Sequence, residues 1–139
     1  MLRDSSLGRS PAQFFAFAFG AVYLLVGIVG FFVTGVDHFA DKIYSEELIV
    51  FALNPLHNIV HVGLGVVWLW AASSHRMSRT INQLLGIVLL LVTILGFIGA
   101  LKWLAIEGAG EPDNYLHLVT GLLALYFGTA GASEARTAG

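Results

Sequence analysis

Asn58-Ile59-Val60-His61-Val62-Gly63-Leu64-Gly65 and Asn114-Tyr115-Leu116-His117-Leu118-Val119-Thr120-Gly121 are one phrase written twice, and each opens a long apolar run. An amide or imidazole placed in hydrocarbon must find its partners inside the protein, because no water is there to satisfy it. Steps of three and then four residues put Asn, His and Gly of each phrase on one face of a helix. The chain therefore reads as membrane helices with their polar chemistry turned inward, at Asn58, His61, Gly65, Asn114, His117 and Gly121.

Composition agrees. Hydrophobic residues make up 57% of 139 positions and charged residues 12%, with a mean hydropathy of +0.80, against roughly one-quarter charged residues in a soluble domain. Four apolar segments, Phe14 to Thr34, Pro55 to Ala72, Ile81 to Leu104 and Tyr115 to Gly131, are each close to the roughly 17 to 25 residues that cross a bilayer as helix. The expected fold is an all-α integral membrane protein of one domain over residues 1–139, a four-helix bundle with four transmembrane helices. The first segment is longer than the roughly 7 to 15 residues of a secretory signal core and no small-x-small site follows Thr34, so it reads as a span. Without cysteine there are no disulfides, thiolate metal sites or thiol catalysis.

Arg3, Arg9, Arg76, Arg79 and Arg136 fall on the side of the termini and the middle loop, against Lys42 and Lys102 on the other. That distribution predicts cytoplasmic termini in the plasma membrane. The opposite loops are acidic, with Asp37, Asp41, Glu46, Glu47, Glu107, Glu111 and Asp113, and read as solvated faces compatible with cation attraction.

The two halves of the chain repeat. A shift of 66 carries Gly20, Gly30 and Phe31 onto Gly86, Gly96 and Phe97, and a shift of 56 carries Asn58, His61 and Gly65 onto Asn114, His117 and Gly121. Each half is then a helical hairpin, and two spans per half make the repeat parallel, about an axis along the membrane normal. Small and polar residues trace stripes through Ala16, Gly20, Tyr23, Gly27, Gly30 and Thr34, and through Asn82, Gly86, Leu89, Thr93, Gly96 and Ala100. Such stripes let backbones approach closely where lipid removes the hydrophobic drive for association.

Asn54 before Pro55 is a natural cap and first-turn pair, and Pro112 serves the fourth helix likewise. His61 and His117 lie about 9 Å and about 8 Å beyond those prolines, at matched depth. Ser45 to Leu53 reads as a short interfacial helix with Glu46 and Glu47 favouring its dipole. Arg9 to Pro11 and Ser73 to Thr80 read as turns, and Trp68, Trp70, Trp103 and Tyr115 as an aromatic belt. His38 and His75 read as plain surface residues in loops.

Three uses of the buried histidines stay open. In one, His57, His61 and His117 converge on a metal such as Zn or Cu. A related form makes His61 and His117 axial ligands of a haem b, with Gly30, Gly96, Gly65 and Gly121 giving room for the macrocycle. In the second, Asn and His hydrogen-bond across the pseudo-twofold axis, or to helix-end carbonyls, and lock the two halves together. The third is handling of protons or small solutes. No phosphate loop, GxSxG, HExxH or nucleic-acid-binding basic stripe is present. The chain thus reads as a non-enzymatic component whose partners are the lipid bilayer and other membrane subunits or a second copy of itself.

Four short spans and the doubled NxxHxxxG phrase resemble the small membrane proteins, common in actinobacteria, catalogued as domain of unknown function 4383. The resemblance runs from about Phe14 to Gly131 and implies the fold and the membrane address without implying an activity. His57 departs from the repeat, since its counterpart is Asp113.

Overall fold

The computed structural model describes residues 8–41 and 46–133. Arg3, Lys42, Ser45 and Arg136, named above, lie outside the described residues. Four α-helices, α1 (Pro11–Thr34), α2 (Pro55–Ala71), α3 (His75–Phe97) and α4 (Pro112–Gly128), make up most of it. Two of them, α1 and α3, are long and apolar enough to cross a membrane.

The helix starts are written locally. Ser10 accepts from the Gln13 amide while the Gln13 side chain accepts from the Ser10 amide, a capping box with Pro11 in the first turn. Asn54 Oδ1 accepts from His57 N at 2.9 Å and Pro55 follows it, and Ser74 caps α3 through Met77 N. The Ser74 cap corrects the turn read over Ser73 to Thr80. Residues from His75 onward are already helical, because the helix continues past its apolar run into the polar stretch that holds Arg76 and Arg79. At its other end α3 stops at Phe97 and not Leu104: Gly99 turns at φ 72°, and a short 3-10 turn, Lys102–Leu104, folds back over the helix ends. The fourth helix begins at Pro112, three residues before the apolar run.

The short helix expected near Ser45 to Leu53 is instead a β-hairpin, β1 (Glu46–Leu48) and β2 (Phe51–Leu53), paired Glu46 to Leu53 and Leu48 to Phe51. Its two-residue turn puts Ile49 at φ 64°. So short a segment cannot repay helix nucleation, whereas strand pairing satisfies its backbone at once. Packing on α1 and α4 and burial of Leu53 support a ribbon that alone is marginal.

α1 lies along α2, and α3 along α4. Contacts recur at the offsets of 66 and 56. Gly20 faces Leu69 as Gly86 faces Leu125, Leu24 faces Gly65 as Leu90 faces Gly121, and Gly30 faces Asn58 as Gly96 faces Asn114. At Gly30 and Gly96 a Cβ would run into the asparagine Oδ1, so only glycine allows the approach. Large apolar side chains such as Phe32, Leu25 and Ile94 point outward.

The interior has two storeys. Toward the end carrying Ser10, Ala72 and Gly128, Phe15, Tyr23, Trp68, Leu89 and Ala124 form the core. Trp68 is fully buried, so it is a core residue and not part of an interfacial belt, while Trp70, Trp103 and Tyr115 are exposed. Toward the loop end, Leu101, Leu104 and Ile106 form a smaller cluster beneath the 3-10 turn.

Candidate metal centre

The first turn of α2 is tied down on both sides. Beyond its cap bond, Asn54 donates through Nδ2 to the Trp103 carbonyl at 2.8 Å, and Leu56 N donates to the Phe39 carbonyl at 3.0 Å. One helical turn then separates His57 from His61, whose ring centroids are 4.4 Å apart. His117 arrives from α4 with its ring 6.1 Å from that of His57 and 6.2 Å from that of His61. One nitrogen of each ring lies within 4.8 Å of the other two, and all three residues are at most 3% exposed.

The hydrogen-bond inventory separates asparagines from histidines. Asn58 Nδ2 donates to Thr34 Oγ1 at 2.9 Å, and Asn114 Nδ2 donates to the Gly108 carbonyl at 2.6 Å. Their Oδ1 atoms rest on Gly30 and Gly96 with no N–H or O–H partner. A glycine Cα–H is the donor such packing makes available, and the geometry recurs in both halves. The rings have far less. Both nitrogens of His61, and Nδ1 of His57 and His117, are buried without a partner. The carbonyls of Ala52 and Leu104 lie beside the His57 ring, and the Tyr23 ring stands edge-on to His61 at 5.3 Å.

Each asparagine thus bonds within its own half, to α1's last residue and to a loop carbonyl, and not across the axis as the locking role read from sequence requires. Nor does His61 supply such a bond. A haem finds no room either. The cavities beside the rings, one between α2 and α3 and one between α1 and α4, are about 60 Å³ each, enough for a few small molecules and far short of a macrocycle.

Two further readings change. Asp113, counted with the solvated acidic loop, is 1% exposed, with a buried, unpartnered Oδ2. Its register equivalence with His57 was the available signal. Glu111 is partly covered, and that burial, with the Glu107 and Glu47 carboxylates nearby, raises its pKa above the usual value. His75 is not a loop residue: it opens α3 with Nδ1 2.7 Å from Ser10 Oγ. His38 is exposed and pairs with Asp41 at 3.1 Å. Sequence reasoning misses the hydrophobic lid of Leu104 and Ile106 over the histidines, because hydropathy alone makes that segment the tail of a span and a loop.

The chain belongs to the family described as domain of unknown function (DUF4383), whose model matches residues 13–130 and so takes in all four helices, the three histidines and both asparagines. No curated protein and no solved structure matches it.

Proposed function

We propose that the chain is a non-enzymatic integral membrane protein that holds one transition-metal ion, zinc or copper, on His57, His61 and His117. One observation carries the reading: three imidazoles from two helices converge in the interior with four of their six nitrogens unpartnered. A buried polar group without a partner costs about 1 to 3 kcal/mol, and a shared cation is the ligand that would satisfy three at once. Neutral imidazole suits zinc and copper, and three histidines leave a fourth position open. Bonds of about 2.0 to 2.1 Å place ligand nitrogens about 3.3 Å apart, so nitrogens now within 4.8 Å of one another would close in by up to about 1.5 Å. The carbonyls beside His57 supply the outer hydrogen bonds that orient a ligating ring.

The same reading takes residues 1–139 as one unit of four spans, with two parallel hairpins related by a pseudo-twofold axis and both termini in the cytoplasm. Support comes from the contacts that recur at 66 and 56, and from the five basic residues on the side of the termini against two opposite. α2 and α4, 17 residues each, reach about 26 Å at 1.5 Å per residue, slightly short of a core of about 30 Å. The lid of Leu101, Leu104 and Ile106 makes up the difference, since irregular backbone is tolerated at that depth where protein covers it.

The test is metal analysis of protein purified in mild detergent and equilibrated with Zn²⁺ or with Cu⁺ under reductant. One ion per chain, lost in a folded His117→Ala variant, is expected. A folded, metal-free wild-type protein after both incubations overturns the reading.

A further inference from the structure

The crevice between α1 and α4 differs from its counterpart between α2 and α3. Both carry a cavity of about 60 Å³ at histidine depth. Among the cavities described, only the one between α1 and α4 has a wider neighbour toward the terminal end, of about 430 Å³ against Phe14, Phe15, Ala18, Phe19 and Phe127, with Arg9 at its mouth. Phe19 lines both cavities, and the wider one is the furrow considered below.

Topology explains the asymmetry. α2 ends at Ala71 and α3 starts at His75, so a three-residue turn draws those helices together. No such turn joins α1 to α4. The furrow wall is rigid, with Phe15 stacked on Phe19 at 4.4 Å and on Phe127 at 5.3 Å. Arg9 is exposed, with its guanidinium 4.4 Å above the Phe17 ring, and the only ion pair among the described residues is that of His38 with Asp41.

We propose that this furrow is a binding site for an anionic phospholipid, with one acyl chain laid against the phenylalanines and the phosphate on Arg9. The chemistry of the two ends selects the occupant. An apolar trough open to the side accepts hydrocarbon, and a single unpaired guanidinium where the trough meets the polar boundary accepts phosphate, which Arg binds in bidentate fashion. The terminal end also carries Arg76 and Arg79 and faces the leaflet where anionic lipids gather. This site rests on the membrane reading above and is independent of the metal.

Trp68 reports on the furrow, because its ring lies 5.8 Å from Phe15 and 6.5 Å from Phe19. In a Trp70→Phe, Trp103→Phe background it is the single tryptophan, and a brominated chain in the furrow quenches it at short range across the Phe15 and Phe19 rings. The protein is reconstituted into phosphatidylcholine vesicles with increasing mole fraction of brominated phosphatidylglycerol or of brominated phosphatidylcholine, with flotation checked first. Half-maximal quenching is expected at about fivefold lower mole fraction of the anionic lipid, the preference one arginine confers at an anionic surface. Arg9→Gln should abolish that difference, and Ala18→Leu, which fills the trough, should weaken quenching by both lipids. Equal quenching by the two headgroups, or a preference unchanged in Arg9→Gln, overturns the proposal. Protein that does not float with vesicles overturns the membrane reading, and this site with it, while leaving the metal assay in detergent to stand on its own.

Discussion

The two storeys of the interior treat buried polar groups in opposite ways. In the terminal storey the polar atoms that enter the core are met, Tyr23 Oη excepted. Trp68 Nε1 donates to Asn82 Oδ1 at 3.1 Å, Asn82 Nδ2 donates to the Ala12 carbonyl at 3.1 Å, and Ser78 Oγ donates to the Ala71 carbonyl at 2.9 Å. Glutamines serve both hairpins there, Gln13 on the Ala72 carbonyl and Gln83 on the Gly128 carbonyl. In the loop storey the same helices bring three imidazoles together and leave four ring nitrogens bare. A met polar group fastens helices, whereas four unmet imidazole nitrogens in one cluster point to something not made of protein.

Breaking the loop storey should give the largest effect. His61→Leu removes one of three ligands, so metal affinity should fall by more than the 10- to 100-fold typical of an outer-shell change, read by titration with a competing chelator. Stability without metal, measured by reversible unfolding in mixed micelles, should stay level or rise, because two unpartnered nitrogens leave the core with the ring. A metal-free loss of about 0.6 to 2 kcal/mol would instead restore the locking role.

Asn82→Leu attacks the terminal storey and should do the reverse. It strands Trp68 Nε1, while the Ala12 carbonyl keeps its bond within α1, at about 1 to 3 kcal/mol for a buried group left unmet, and the metal-to-protein ratio stays near one. Loss of metal with no loss of stability would invert the comparison between storeys.

Gly30→Ala and Gly96→Ala sharpen it within one storey. Each methyl meets an asparagine Oδ1 that can turn aside only by giving up its bond to Thr34 or Gly108. Overpacking of this kind costs about 1 to 3 kcal/mol, and the recurring contacts predict similar values for the two variants in the same unfolding assay. A large gap between them would count against the pseudo-symmetry.

The smallest effect is expected at Asn114→Leu. It removes a bond to a loop carbonyl that lies near water, so a loss of about 0.5 to 1.5 kcal/mol, the worth of one ordinary hydrogen bond, is expected. A larger loss, or loss of metal, would make the asparagine part of the site.

Much of this was legible in one dimension because it depends on periodicity and local chemistry. The Asn54 cap with Pro55, and Pro112, mark helix starts, and the steps of three and four through Gly20, Gly30, Gly86 and Gly96 mark the faces that turn inward, since a helix repeats its geometry at every residue. That His61 and His117 lie at equal depth follows from counting residues along two helices. What counting cannot reach is decided by contacts between residues far apart in the chain. The α3 boundaries differ from the apolar run because hydropathy marks solvent and not hydrogen bonding, and the segment before Pro55 became a hairpin because α1 and α4 offer it a surface. His57 joins the other histidines despite breaking the repeat, while Asp113, its equivalent in register, is buried in the other half without a partner. Whether a buried nitrogen is met depends on which atoms of other helices stand opposite it, and only the folded chain brings those atoms together.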